Sequence, residues 1–158
     1  MKVKQEFIPG VLPRLLSGTI PLSPLSDLEQ LKKEISFNIE SILNSRSRPS
    51  FKELNEDPVV QFSVIGMGID DFCGCQHSDA TVKKLKQQMR EQLRHFEPRL
   101  DPESIDVTVK GEEGRKGVLI MEITGRICVK PFEGEYLCSY TLDLETGIPS
   151  FRKSGEVS

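Results

Sequence analysis

The sequence predicts a single α+β domain, with helices packed on an antiparallel sheet of three to four strands. Three observations predict it. Two stretches within the first hundred residues carry apolar side chains at helical spacing. The segments past Ile105 alternate with a period of two instead. The links between those segments are short, which joins neighbouring strands as hairpins and makes the sheet an antiparallel meander. At 158 residues the chain suffices for one domain with one core.

Residues 1–24 read as an N-terminal arm. Ile8, Val11, Leu12, Leu15 and Leu16 make it apolar, but Pro9, Pro13, Pro21 and Pro24 exclude a long helix. The domain follows over residues 25–152. Ser26-Asp27-Leu28-Glu29 has capping-box spacing, and Leu28, Leu31, Ile35, Ile39 and Ile42 form the apolar stripe of a helix reaching about Ser45. Phe37 falls on the opposite side of that helix and needs a second cover, either the arm or a partner subunit. Arg46–Glu56 is a polar loop, and Asp57-Pro58 then opens a short apolar helix that Gly66 stops.

The second long helix is centred on Val82, Leu85, Met89, Leu93 and Phe96. Ser78 and Asp79 can accept bonds from its free N–H groups, and Pro98 ends it. Ile105, Val107 and Val109 share one strand face. A charged, glycine-rich turn at Gly111–Gly117 leads to Leu119, Met121, Ile123, Ile127 and Val129 on a long strand. Pro131–Glu135 is expected to turn the chain again, before Tyr136, Cys138, Tyr140, Leu142 and Leu144 alternate inward. Ile148–Arg152 can add a short last strand, and 153–158 reads as a mobile tail.

Composition narrows the function classes. The net charge of −3 argues against a nucleic-acid binder. No apolar run approaches the roughly 18 residues of a membrane span, so no membrane insertion is expected. Met1–Gly10 lacks a long apolar h-region, which points to a cytoplasmic protein with free thiols at Cys73, Cys75, Cys128 and Cys138.

Five pieces of the chain, in order, resemble a known family: the TssE-like baseplate proteins of type VI secretion systems and their relatives in phage tail baseplate wedges. PGVLPRLL at Pro9–Leu16 resembles the family's "LLDRL"-type segment. ESILNSR at Glu40–Arg46 resembles the helix end "LLNTR". SVIGMGIDDF at Ser63–Phe72 resembles "SVLNYGLPDL", with Gly66, Met67 and Asp70 standing where Asn, Tyr and Pro are usual. FEPRL at Phe96–Leu100 matches the Glu-Pro-Arg signature, and LDLETG at Leu142–Gly147 resembles the C-terminal strand and turn. The Cys73-Gly74-Cys75 stretch has no counterpart in that pattern.

The resemblance implies a structural subunit of a contractile injection machine, one that links the baseplate wedge to the sheath and helps start sheath assembly. Its expected partners are other baseplate wedge subunits and contractile sheath subunits. Such contacts would use β-augmentation, in which an exposed sheet edge pairs with an incoming strand. A phage tail or an extracellular contractile particle are the other machines the same pattern serves.

Candidate contact residues follow. Glu97, Pro98 and Arg99 sit where helix meets strand, with a rigid residue between two charges, and serve either to fix the corner or to touch a partner. On that expectation an Arg99→Ala chain stays folded but fails to join baseplates. Lys86 and Arg90, with Lys83 and Arg94, form a basic flank that meets either an acidic partner or solvent, opposite Gln88, Glu91, Gln92 and His95.

No catalytic constellation emerges. A peptidoglycan-cleaving reading needs two carboxylates facing each other across a cleft, and only Glu97 can be placed at a defined corner. His77 and His95 lie in no recognisable nucleophile context, and Gly111–Gly114 is too acidic to cradle phosphate, so no small-molecule substrate is expected. Cys73, Cys75 and His77 have C-x-C-x-H spacing, whereas zinc sites usually take C-x₂₋₄-C and a second ligand pair. Cys128 and Cys138 have opposite strand parity and cannot both supply it, so neither metal nor cofactor is expected.

Overall fold

A computed structural model describes residues 24–45, 59 and 63–152. Helix α1 is Pro24–Asn44, a single 3₁₀ turn spans Val64–Gly66, and helix α2 is Asp79–Phe96. Four strands follow: β1 (Asp106–Gly111), β2 (Val118–Val129), β3 (Phe132–Asp143) and β4 (Pro149–Arg152). They form one antiparallel sheet in the order β1-β2-β3-β4. The expected arm, the tail 153–158, the loop 46–56 and the Asp57-Pro58 helix start lie outside the described residues.

Both helical stripes point at the sheet. Leu31, Ile35, Ile39 and Ile42 of α1 and Leu85, Met89 and Leu93 of α2 are fully buried. They meet Val107, Leu119, Met121, Ile123, Ile127, Tyr136, Cys138, Tyr140 and Leu142 from one face of the sheet. At roughly 25 cal/mol per Å² of apolar surface, a shared core of this kind is the main source of stability. Ser78 caps α2 by accepting a bond from the Thr81 amide at 3.2 Å.

Three local expectations need correction. α1 starts at Pro24, suited to a first helical turn by its fixed φ, so Ser26 and Asp27 lie inside the helix rather than ahead of it. The β2–β3 turn is only Lys130-Pro131, joined by a cis peptide bond, and Phe132–Glu135 is strand. Between Ser63 and Ile69 the chain makes one 3₁₀ turn rather than the end of an apolar helix, and Val64 and Ile65 point outward.

That segment is held by α2. Gln92 accepts a bond from the Gly68 amide (2.7 Å) and donates to Gly66 O (3.2 Å). Gln88 accepts from the Asp70 amide (3.0 Å) and donates to the Asp70 carboxylate (2.7 Å). Gly68 has φ +130°, and a Cβ there would stand 2.4 Å from Ser45 O at the end of α1. Only glycine allows this crossing of the two segments.

Candidate functional site

The Glu97-Pro98-Arg99 corner is where both helices meet the sheet. The Leu93 carbonyl accepts from the Glu97 amide as α2 ends, and the Glu97 carbonyl accepts from the Leu100 amide to close the turn. Pro98 is exposed at its apex, while Glu97 is 1% exposed. Arg99 approaches that buried carboxylate in two-pronged fashion: Nε donates to Oε1 at 2.6 Å and Nη2 to Oε2 at 2.7 Å. Asn38 of α1 donates Nδ2 to Glu97 Oε2 (2.9 Å) and to Phe96 O (2.8 Å). The Arg99 Nη1 lies 3.5 Å from Glu34 Oε2, also on α1.

The same residue reaches the sheet. The Cys128 amide donates to Arg99 O (3.0 Å), the Asp101 amide donates to Arg126 O (2.8 Å), and the Arg126 amide donates to Ser104 Oγ (2.8 Å). Leu100 packs beside Gly125, where a Cβ would come within 3.4 Å of Leu100 Cδ1. The Arg126 guanidinium binds the Asp101 carboxylate and holds its pKa below the usual range. Arg99–Ser104 therefore runs along β2 beyond the end of β1 and satisfies the backbone groups of Arg126 and Cys128.

The opposite border is different. The Leu144 amide donates to Gly117 O (2.7 Å) and the Asp143 amide to Ile148 O (3.3 Å). Since antiparallel residues alternate in direction, even-numbered residues of β3 bond to β2, and odd-numbered ones face β4. Yet β4 pairs only with Ser139–Leu142. Glu133, Glu135 and Leu137 thus turn their N–H and C=O groups outward beyond Arg152, with no backbone partner among the described residues.

Beside this border lies a groove of about 310 Å³ between α1 and the sheet edge, lined by Lys33, Phe37, Tyr136, Leu137, Cys138 and Phe151 among others. Phe37 is 63% exposed on its rim among the described residues. Glu29, Lys32, Lys33 and Glu40 bring charge to the groove's α1 side, where the Tyr136 hydroxyl lies 2.8 Å from Ser36 Oγ, and Tyr140 donates to Ser36 O (3.1 Å). Burial pushes both phenols upward and raises the Cys138 thiol to about 11.

The basic flank of α2 is partly engaged within the chain. Arg90 donates to Ile105 O (3.2 Å) and lies 3.9 Å from Asp106, and Arg94 donates to Pro102 O (3.3 Å). Lys86 is half-buried beside them. Gln88 and Gln92, expected on the polar flank, are instead buried. Their four-residue spacing, like that of Glu34 and Asn38, was the signal that each pair shares one helix face. Cys138 is buried on the inner face and Cys128 exposed on the outer one, as their parity requires.

Glu97 has both oxygens engaged by Arg99 and Asn38 and does not line the groove. The groove's own carboxylates, Glu29 and Glu40, are eleven positions apart on α1, about 16 Å at 1.5 Å per residue. Glycosidase pairs stand about 5–9.5 Å apart. No helix among the described residues is long and apolar enough to cross a membrane.

Comparison with known proteins gives one family. The model of the family described as baseplate wedge protein gp25 matches residues 29–131, well over half of the chain, from the second turn of α1 to the β2–β3 turn. No curated protein and no solved structure matches the chain. The matched stretch contains most of α1, all of α2, the Glu-Pro-Arg corner and the first two strands, and this chain belongs to the baseplate wedge protein gp25 family.

Proposed function

We propose that the chain is a non-catalytic wedge subunit that links the baseplate to the contractile sheath of a type VI secretion machine in the cytoplasm. Residues 25–152 form the wedge domain, with 1–24 as an arm and 153–158 as a tail. Its partners are other wedge subunits and the first sheath subunits. Membership in the gp25 family supports the baseplate role. The observation that carries the sheath role is the backbone of Glu133, Glu135 and Leu137, which has no partner among the described residues and can pair with a strand from another chain.

The Glu97–Arg99 pair serves this indirectly. It fixes the helices to the sheet and keeps Arg99–Ser104 along β2 beyond the end of β1. Pro98, exposed at the apex, together with Arg99, Lys86, Arg90 and Phe37, supplies side chains for contacts with neighbouring wedge subunits.

Glu135→Pro tests the proposal. Proline removes an N–H that faces away from β2 and leaves the β2 ladder intact, so it is tolerated as on any edge strand. The variant is expected to fold, to enter baseplates and to fail in sheath assembly in native cells, while Glu135→Asp, which keeps both the N–H and the charge, assembles normally. Full sheath assembly by a folded Glu135→Pro chain would refute the strand-pairing role. The genes beside this one separate a type VI system from a phage tail or an extracellular particle.

A further inference from the structure

The chemistry on the two sides of the open border specifies what can pair there. On the outer face, Glu133 and Glu135 are exposed with nothing basic on their own strand; Arg126 stands across from Glu135 on β2, with its guanidinium bound to Asp101. Neither makes a salt bridge among the described residues. On the inner face, Gly134 has nothing within 4 Å of where a Cβ would be, Tyr136 and Cys138 are buried, and the groove rimmed by Phe37 and Phe151 lies alongside. A strand added here alternates between these environments at every residue.

Resting on the strand-pairing role proposed above, we infer that the border selects an extended segment of another chain with apolar and basic residues in strict alternation. Its apolar side chains enter the groove against Phe37 and over Gly134. Its basic side chains stand directly across from Glu133 and Glu135, where opposite charges on facing positions attract.

The test uses the full-length protein and two synthetic strand peptides of equal length, one alternating Val with Lys and one alternating Val with Glu. Amide chemical-shift titration gives each affinity, and hydrogen exchange at Glu133, Glu135 and Leu137 gives the place of binding. The Val/Lys peptide should slow exchange at these three amides and bind about tenfold more tightly, an advantage that shrinks as salt is raised. Glu133→Lys combined with Glu135→Lys should reverse the preference. Equal affinities with the same protection would overturn charge selection while leaving the strand-pairing role standing. Protection by neither peptide would overturn both. Amides already slow without peptide would mean that the chain's own tail or arm fills the border, and would also overturn the inference.

Discussion

Replacing Arg99 by Met isolates the corner. The Glu97 side chain is 0% exposed, and its two shortest contacts, at 2.6 and 2.7 Å, both come from Arg99. Met keeps the aliphatic stem but leaves a buried carboxylate held only by Asn38 and the Arg99-position backbone amide. Breaking a buried pair from one side costs about 3–5 kcal/mol, and the surviving Asn38 bond puts this case near the lower end, about 3 kcal/mol. For a domain of this size that is roughly 6–12 °C in Tm. Equilibrium denaturation in urea is the assay, read as a lower midpoint at unchanged slope. Because the loss arises from the orphaned charge, adding Glu97→Gln to Arg99→Met should recover about 1 kcal/mol or more of it. A change below about 0.5 kcal/mol would put the pair among ordinary surface ion pairs and refute the corner argument. The sequence-based expectation for Arg99→Ala, a folded chain that fails to join baseplates, must then be tested on a chain of lowered stability, because Glu97 is buried.

Two further perturbations address the fold around the site. Gly68→Ala combines a φ of +130° with a Cβ 2.4 Å from Ser45 O, and should cost about 2–5 kcal/mol; Gly74→Ala, at φ +75° with open space around it, should cost only about 1–2 kcal/mol from the left-handed backbone, and thermal melts that fail to separate the two would contradict the α1–loop crossing. Raising the pH should destabilise the protein: the Cys138 thiol, ordinarily near 9.0, is pushed by burial to about 11, so between those values the unfolded chain gives up a proton the folded chain keeps. Stability from this group is complete below pH 9 and falls by about 3 kcal/mol as pH rises to 11, and Cys138→Ala should flatten that part of the curve.

Much of the fold was legible from periodicity, because burial is what periodicity records. The stripes Leu31-Ile35-Ile39-Ile42 and Leu85-Met89-Leu93, and the inward series Tyr136-Cys138-Tyr140-Leu142-Leu144, are all buried as their spacing requires. What escaped were places where polar groups decide the path. Gln88 and Gln92 have the composition of a solvated flank, but their amides satisfy the backbone of Gly66–Asp70, a need visible only once that loop lies on α2. Asn38 and Glu34 likewise gain their partners from residues some sixty positions on. The β2–β3 turn was misplaced because Glu133, Gly134 and Glu135 look like turn residues; they are strand residues on a sheet edge, with acidic side chains on the outer face. The stretch of β3 without a pairing strand among the described residues could not be read at all, since it depends on where β4 ends.

The most direct measurement is hydrogen exchange at Glu133, Glu135 and Leu137 in the isolated protein and again in assembled baseplate–sheath particles. Fast exchange in isolation that slows strongly on assembly, while Ser139 and Thr141 stay slow in both, is the result expected if another chain's strand completes the sheet. Amides equally fast in both states would contradict it.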